Sequence, residues 1–192
     1  MRLILASASA ARQRLLQEAG IEFDVVASHA RELRGRGRSL RGTVLENARR
    51  KAAAVARRYP DRPVLAADTM VEFEGRLMGK PSSRPAAIDL LARMAGKSHI
   101  LATGLCLRRG RRELTRCVES RVFVRELSRA QLRRLLADDD PTRFAGGYAI
   151  RPGRDPLIER VVGSFSNVIG LPLESVLPLL RVHASHPPGR VR

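Results

Sequence analysis

The sequence is short of several residue types, and each shortage argues against a class of protein. Aromatic residues make up 4% of the 192 residues and tryptophan is absent, so the stacking platforms of a single-strand nucleic-acid binder are scarce. The two cysteines, Cys106 and Cys117, are too few for a disulfide framework and favour a reducing compartment. They form no Cys-x-x-Cys or His/Cys cluster of the kind that binds zinc.

Long apolar runs are also missing. No run approaches the ~20 residues that a membrane span needs. The apolar run near the N-terminus is too short for a signal peptide and is followed at once by Arg12 and Arg14. The sequence therefore predicts a cytoplasmic protein without a membrane partner. Its length predicts one domain, which we place over residues 1–183. The tail after the last predicted helix, residues 184–192, is predicted to be disordered.

Acidic residues and lysines are few beside the arginines. The chain has 36 Lys+Arg against 19 Asp+Glu, a net charge of +17, yet its only lysines are Lys51, Lys80 and Lys97. The charge could serve a nucleic-acid partner or could be an arginine bias spread over solvated faces. The scattered arginines and few aromatics favour the second reading, and either would attract an anionic small substrate. A lysine in such a chain suggests a place that needs a compact point charge.

Strand and helix patterns are interleaved, which is typical of a mixed α/β sheet. Near the N-terminus a short strand, the small polar turn 7–9 and a helix over 10–19 follow one another. This layout points backbone N–H groups and hydroxyls at an anion, although the glycines of a P-loop are absent. Arg12, in the first helical turn, could add a fork for phosphate. The alternative is that Ser7 and Ser9 only cap the helix.

The central stretch, residues 64–81, carries the most informative polar residues. Its pattern predicts a buried strand over 64–67 that stops at Asp68 and Thr69, then a second strand over 70–73 and a turn leading to Lys80. A carboxylate at the end of a buried strand needs a cation, a metal or hydrogen-bond donors, and Lys80 is one candidate. A helix predicted over 43–58 carries Lys51 on its apolar face, as expected if Lys51 points into a cleft.

Two polar segments each allow two interpretations. The arginine-rich loop over 31–41 is either a solvated surface loop, which is favoured, or a flap that faces phosphate. The three acids over 138–140 resemble a metal site by composition, but acids before a proline are more typical of a solvated turn.

Several short motifs follow one another along the chain: LILASASAARQRLL, ARRKA, AADT, GKP, SHILATG, AGGY and VIGLPL. Taken together, they resemble the motifs of the Maf family of nucleoside triphosphate pyrophosphatases. The first is similar to the family opening LASxSPRRxxLL, and ARRKA, AADT and GKP continue the match. SHILATG is similar to THxVxTG, AGGY to AGAY, and VIGLPL to VVGLPL. The resemblance runs in order over residues 3–180.

The resemblance implies an α/β fold of the Maf/ITPase-like type, with a mixed sheet in two lobes, helices around it and the active site in a central cleft. It implies a cytoplasmic enzyme, commonly a homodimer, that needs a divalent cation (Mg²⁺ or Mn²⁺). The enzyme would cleave a nucleoside triphosphate into the monophosphate and pyrophosphate. By motif position Asp68 would be the catalytic carboxylate and would hold the metal with Glu32. The phosphates would be surrounded by Ser7, Arg12, Lys51 and Lys80.

Three positions differ between the family's branches, and here they hold Ala11, Thr69 and Arg151. The dTTP/UTP branch carries Arg, Thr and Gln there, and the 7-methyl-GTP branch Trp, Gln and Glu, so Thr69 places the chain nearer the first. Ala11 and Arg151 match neither branch, and Phe144 replaces a lysine. Two alternatives to a dTTP/UTP-like pyrophosphatase stay open: a relative that binds nucleotide with little turnover, and a basic regulator that binds nucleic acid.

Overall fold

A computed structural model describes residues 2–35, 37–150, 153 and 155–184. In this part of the chain one mixed sheet contains β1 (Leu3–Leu5), β2 (Phe23–Val25), β3 (Val64–Phe73), β4 (Arg76–Met78), β5 (Ser98–Arg109), β6 (Arg112–Val124) and β7 (Ile158–Val162). The strand order is β2-β1-β3-β5-β6-β7, and β4 pairs with β3. The pairs of β1 with β2 and β3 are parallel and the rest are antiparallel, which confirms the mixed α/β prediction.

Six helices accompany the sheet in the described residues: α1 (Ala10–Glu18), α2 (Leu40–Ala56), α3 (Arg84–Met94), α4 (Arg129–Leu135), α5 (Phe165–Ile169) and α6 (Leu173–Ala184). Two 3-10 turns cover Pro141–Arg143 and Ala145–Gly147. Five helices begin after a serine whose short side chain lets the hydroxyl oxygen accept a hydrogen bond from a backbone N–H of the first turn. These serines are Ser9, Ser39, Ser83, Ser128 and Ser164. Capping therefore explains Ser9 but not Ser7. No described helix has the length and apolar character needed to cross a membrane.

The predicted break in the central strand is wrong. β3 runs without interruption through Asp68 and Thr69, which pair with Gly104 and Thr103 of β5. The long partner strand satisfies the backbone there, so two polar side chains do not end the strand. Because side chains alternate along a strand, Asp68 points to the face covered by α2 and Thr69 to the opposite face.

Other differences concern the ends of the elements. α2 begins at Leu40, three residues before the predicted start, because the Ser39 hydroxyl accepts a hydrogen bond from the Gly42 N–H. The short helix α5 was not predicted. Ala184, where the disordered tail was expected to begin, is the last residue of α6, and residues 185–192 lie outside the described residues.

The apolar core is divided along the long strands β3 and β5. At one end, Leu16 and Leu65 pack on the face toward α1 and α6, while Ala48 and Ala66 pack on the face toward α2. At the other end a separate cluster joins α3 and α4 to the sheet: Val71, Phe73, Ile88, Leu91, Met94, Val122 and Leu132. These clusters are the interiors of two lobes, and Asp68 lies on β3 between them.

One glycine determines how closely α2 approaches the sheet. A Cβ at Gly104 would lie 2.4 Å from the carbonyl carbon and oxygen of Val44 in α2. The helix backbone can therefore rest on β5 only because position 104 lacks a side chain. One and two helical turns beyond Val44, the same helix carries Asn47 and Lys51. The close approach brings both side chains to Asp68, the strand partner of Gly104.

Candidate active site

Asp68 lies at the centre of the site, and both of its carboxylate oxygens have partners. Oδ1 accepts a hydrogen bond from Lys51 Nζ at 2.7 Å, and Oδ2 accepts one from Asn47 Nδ2 at 2.9 Å. Asp68, Lys51 and Asn47 are 5%, 8% and 1% exposed, respectively. A buried carboxylate is tolerated when a cation and a donor compensate its lost hydration. Lys51 is that cation; no ion pair joins Asp68 to Lys80.

Glu32 reaches the same lysine from the loop between β2 and α2. Its Oε1 lies 2.6 Å from Lys51 Nζ, so one ammonium bridges two carboxylates. Partial burial raises the pKa of Glu32, but the hydrogen bond to Lys51 and the charges of Lys51, Lys80 and Arg12 outweigh it. The pKa of Glu32 therefore lies below its ordinary value.

The loop that carries Glu32 is fixed at two points. Next to Glu32, the Leu33 N–H donates to Asn47 Oδ1 at 2.7 Å, and the Leu33 carbonyl accepts from Asn47 Nδ2 at 3.1 Å. At the loop's tip Gly35 lies against Leu77 of β4, where a Cβ would meet the Leu77 side chain at 2.2 Å. The described arginines of this loop, Arg31, Arg34 and Arg38, are exposed.

Arg12 occupies the opposite face of β3. Its Nε donates to the Gly170 carbonyl at 2.9 Å, Nη1 to Ser7 Oγ at 3.1 Å and Nη2 to Thr69 Oγ1 at 3.1 Å. Thr69 Oγ1 is in turn 2.8 Å from Thr103 Oγ1. Burial lowers the pKa of Arg12 below its ordinary value, although the charges of Asp68 and Glu32 partly offset the shift.

The structure thus separates the predicted site residues into two neighbouring groups. On the α2 face Lys51 contacts both Glu32 and Asp68, and on the other face Arg12 contacts both Ser7 and Thr69. Lys80 is exposed and acts on Glu32 through its charge alone. Ala11 precedes Arg12 in α1 and is half-buried. Arg151 lies outside the described residues.

Sequence reasoning missed Asn47, Thr103 and Gly170. For Asn47 a signal was available, because it stands four residues before Lys51 and so shares its face of α2. Thr103 lies within the SHILATG motif, but only the pairing of β5 with β3 places it beside Thr69. Gly170 contributes a backbone carbonyl, which side-chain chemistry cannot reveal.

Two motif residues form a separate buried pair. His99 Nε2 lies 2.8 Å from the Tyr148 hydroxyl oxygen, and the rings meet edge to face. Burial lowers the pKa of His99 to about 4 and raises that of Tyr148. Tyr148 follows the Ala145–Gly147 turn, in which the Gly146 N–H donates to the Gly79 carbonyl at 3.2 Å. The pair therefore supports the segment that carries Lys80 and does not contact Asp68.

The carboxylates of Glu32 and Asp68 fit a divalent cation. Both lie within 2.7 Å of Lys51 Nζ, and such carboxylate oxygens, completed by water and phosphate oxygens, are typical ligands of Mg²⁺. A bound cation would share the two carboxylates with this ammonium. No group of three or more His, Cys, Asp or Glu side chains suited to a metal occurs in the described part of the chain. The acids over 138–140 lie between α4 and the Pro141–Arg143 turn, which Asp140 caps by accepting a hydrogen bond from the Thr142 N–H.

Comparison with solved structures identifies the class of fold. The structure of the Staphylococcus aureus Ham1 protein covers 96% of this chain and 98% of its own with a TM-score of 0.56, at 12% sequence identity. The sequence model described as Maf-like protein matches residues 2–183, and the chain belongs to this family.

Curated relatives in the family are named dTTP/UTP pyrophosphatase. The protein of Syntrophus aciditrophicus is 38% identical over 183 residues, which cover 94% of this chain and 89% of the relative. Those of Symbiobacterium thermophilum and Myxococcus xanthus are each 40% identical, covering 93% of this chain and 92% and 90% of the relatives. The similarity therefore extends over nearly the whole length of both chains.

Proposed function

We propose that the protein hydrolyses the α–β phosphate bond of dTTP, UTP or a related modified nucleotide and releases the monophosphate and pyrophosphate. One observation carries the proposal: a buried carboxylate, Asp68, is held by Lys51 and Asn47 at the point where Glu32 converges with it. The names of the relatives support the reaction, and Thr69 supports the dTTP/UTP branch.

The cationic residues have the role of binding the polyphosphate. Phosphoryl transfer requires little covalent help from a protein, so catalysis depends on positioning and charge neutralisation. Lys51 and the exposed Lys80 supply point charges, whereas Arg12 offers a planar fork that Ser7 orients. These four residues would surround the phosphates.

Glu32 and Asp68 would hold the Mg²⁺ or Mn²⁺ ion. When bound, a divalent cation neutralises phosphate charge and makes a bound water more acidic. Asp68 accepts the proton of the attacking water as the water oxygen bonds to phosphorus and the bridging P–O bond breaks. Lys51 and Asn47 keep the carboxylate in one orientation for that transfer. The proposal assigns base and sugar selection to Ala11, Thr69 and Arg151, and includes a cytoplasmic homodimer, as in the family.

The test is pyrophosphate release with Mg²⁺ or Mn²⁺ from dTTP, UTP, CTP, GTP and 7-methyl-GTP. Asp68→Asn should lower the rate by about 10²–10⁴-fold, the range typical of a lost general base. The control is Asp89→Asn, because Asp89 is an exposed carboxylate whose partner is Arg129; its rate should not change.

Three results would contradict the proposal or part of it. A folded Asp68→Asn variant that keeps its activity would remove Asp68 from catalysis. Activity on other bases alone would keep the reaction and overturn the substrate. Nucleotide-dependent stabilisation without pyrophosphate release would favour a binding protein with little turnover.

A further inference from the structure

Asn47 makes three hydrogen bonds that join Asp68 to the backbone of Leu33, the residue next to Glu32. One Nδ2 hydrogen goes to Asp68 Oδ2 at 2.9 Å and the other to the Leu33 carbonyl at 3.1 Å, while Oδ1 accepts from the Leu33 N–H at 2.7 Å. An amide has two donor hydrogens and an acceptor oxygen, so both of its polar groups have partners here. The side chain is 1% exposed, and water does not compete for these bonds.

We propose that Asn47 is a positioning residue for the hydrolytic site: it orients the Asp68 carboxylate and locks the Glu32 segment against α2 with one amide. The inference rests on the proposed function. It assigns the relative placement of the two carboxylates to a neutral side chain that is 1% exposed.

The need for such a lock follows from the exposure of Glu32. The Glu32 side chain is 55% exposed, whereas that of Asp68 is 7% exposed in the interior of β3. Asp68 is therefore placed by the sheet, but Glu32 is placed by a loop without regular structure. The Leu33 contacts are the anchor nearest to Glu32 in that loop.

Lys51 cannot replace this lock. It contacts both carboxylates through a single ammonium on a flexible four-carbon stem, but the hydrogen bonds to the Leu33 backbone belong to Asn47. The short amide of Asn47, in contrast, bonds to both the N–H and the carbonyl group of Leu33 and so fixes the loop backbone. A carboxylate at position 47 would keep an acceptor for the Leu33 N–H, but it would lose the donor to Asp68 and oppose it with a like charge.

The two roles can be separated with two variants. Asn47→Asp retains the acceptor and should keep the loop partly protected, whereas Asn47→Ala loses both contacts. Hydrogen–deuterium exchange over residues 29–35 should increase slightly in the first and strongly in the second. Because this measurement needs no turnover, it tests the lock even if the proposed reaction fails.

Kinetics test the orientation. Both variants should lose about 10–100-fold in kcat, as when an outer partner of a metal-binding carboxylate is removed, with a much smaller change in nucleotide KM. Asn47→Ala should also need more Mg²⁺ for half-maximal rate, since it frees the Glu32 segment. Glu46→Gln, on the same helix but paired with Arg50, should match the wild type.

A destabilised control separates positioning from folding. Leu132→Ala creates a cavity in the other lobe, so it should lower Tm and leave kcat unchanged. If loss of activity followed Tm across all variants, or if both Asn47 variants kept wild-type kcat and exchange, the inference would be wrong. If Asn47→Ala does not fold, Asn47→Asp alone decides, because wild-type kcat in that variant would overturn the orientation role.

Discussion

The close contact of α2 with β5 makes Gly104→Ala a sensitive test of how the fold serves the site. The new Cβ would stand 2.4 Å from the Val44 carbonyl and 2.7 Å from the Leu45 nitrogen, where ordinary contacts begin at 3.4 Å. These atoms belong to a helix backbone and cannot rotate away. The helix must therefore move by about 1 Å, and a displacement of this size in a catalytic group can cost about 10²-fold in rate.

The same clash sets the cost in stability. Overpacking a buried site costs about 1–3 kcal/mol. In a chain of this size, each kcal/mol lost from the free energy of unfolding lowers Tm by about 2–4 °C. We expect a fall in Tm of several degrees, with a much larger proportional fall in kcat, because Asn47 and Lys51 move with α2 while Asp68 stays in β3.

Thermal unfolding and pyrophosphate release measured on the same preparations test this reasoning. Gly79→Ala is the control for stability, because a Cβ there meets nothing within 4 Å and its φ is not positive. A Gly104→Ala variant with wild-type Tm and kcat would refute the argument that this glycine places α2. A variant with lower Tm and normal kcat would show that the displaced helix does not carry the site with it.

Two further predictions concern buried groups. Burial holds the pKa of His99 at about 4 in the folded state against 6.5 when unfolded, and Nδ1 has no hydrogen-bond partner among the described residues. The unfolded state therefore binds the proton more readily, and as pH falls from 6.5 to 4 the free energy of unfolding should decrease by about 3 kcal/mol. Denaturant titrations of the His99→Gln variant should lack this part of the decrease. An equal decrease in the variant would exclude His99 as its source. Arg12→Lys keeps the charge but loses the three-point contact with Gly170, Ser7 and Thr69, so kcat/KM should fall by about tenfold or more, and an unchanged value would contradict the role of the fork.

Much of the fold followed from patterns within short stretches of the sequence. The apolar run before Ser7 predicted β1 because that strand is buried on both faces, and the helical period around Lys51 predicted α2 because that helix buries one face. α1 begins at the predicted residue, directly after its Ser9 cap, whereas α2 begins three residues early because the prediction did not use the Ser39 cap. The break in β3 was a wrong prediction, since the backbone of Asp68 is satisfied by a strand about 35 residues further along the chain.

The site was predicted where charge gave a signal and missed where neutral groups carry the geometry. Lys51 stood out as a lysine on an apolar helix face in an arginine-rich chain. Asn47 gave no comparable signal, because an asparagine on a helix is ordinary until its partners are known. The hydrogen bonds to Leu33 depend on the path of an irregular loop, which local propensity does not determine.

The alternation of Asp68 and Thr69 along β3 has a consequence for how such a protein can diversify. The two residues are adjacent in sequence, yet they share no hydrogen-bond partner: one meets Lys51 and Asn47, the other Arg12 and Thr103. A substitution at position 69 can reshape one side of the sheet while the opposite side keeps its contacts. On the proposed function, a change at position 69 would alter substrate preference one residue away from the catalytic carboxylate, while Asp68 keeps its partners Lys51 and Asn47.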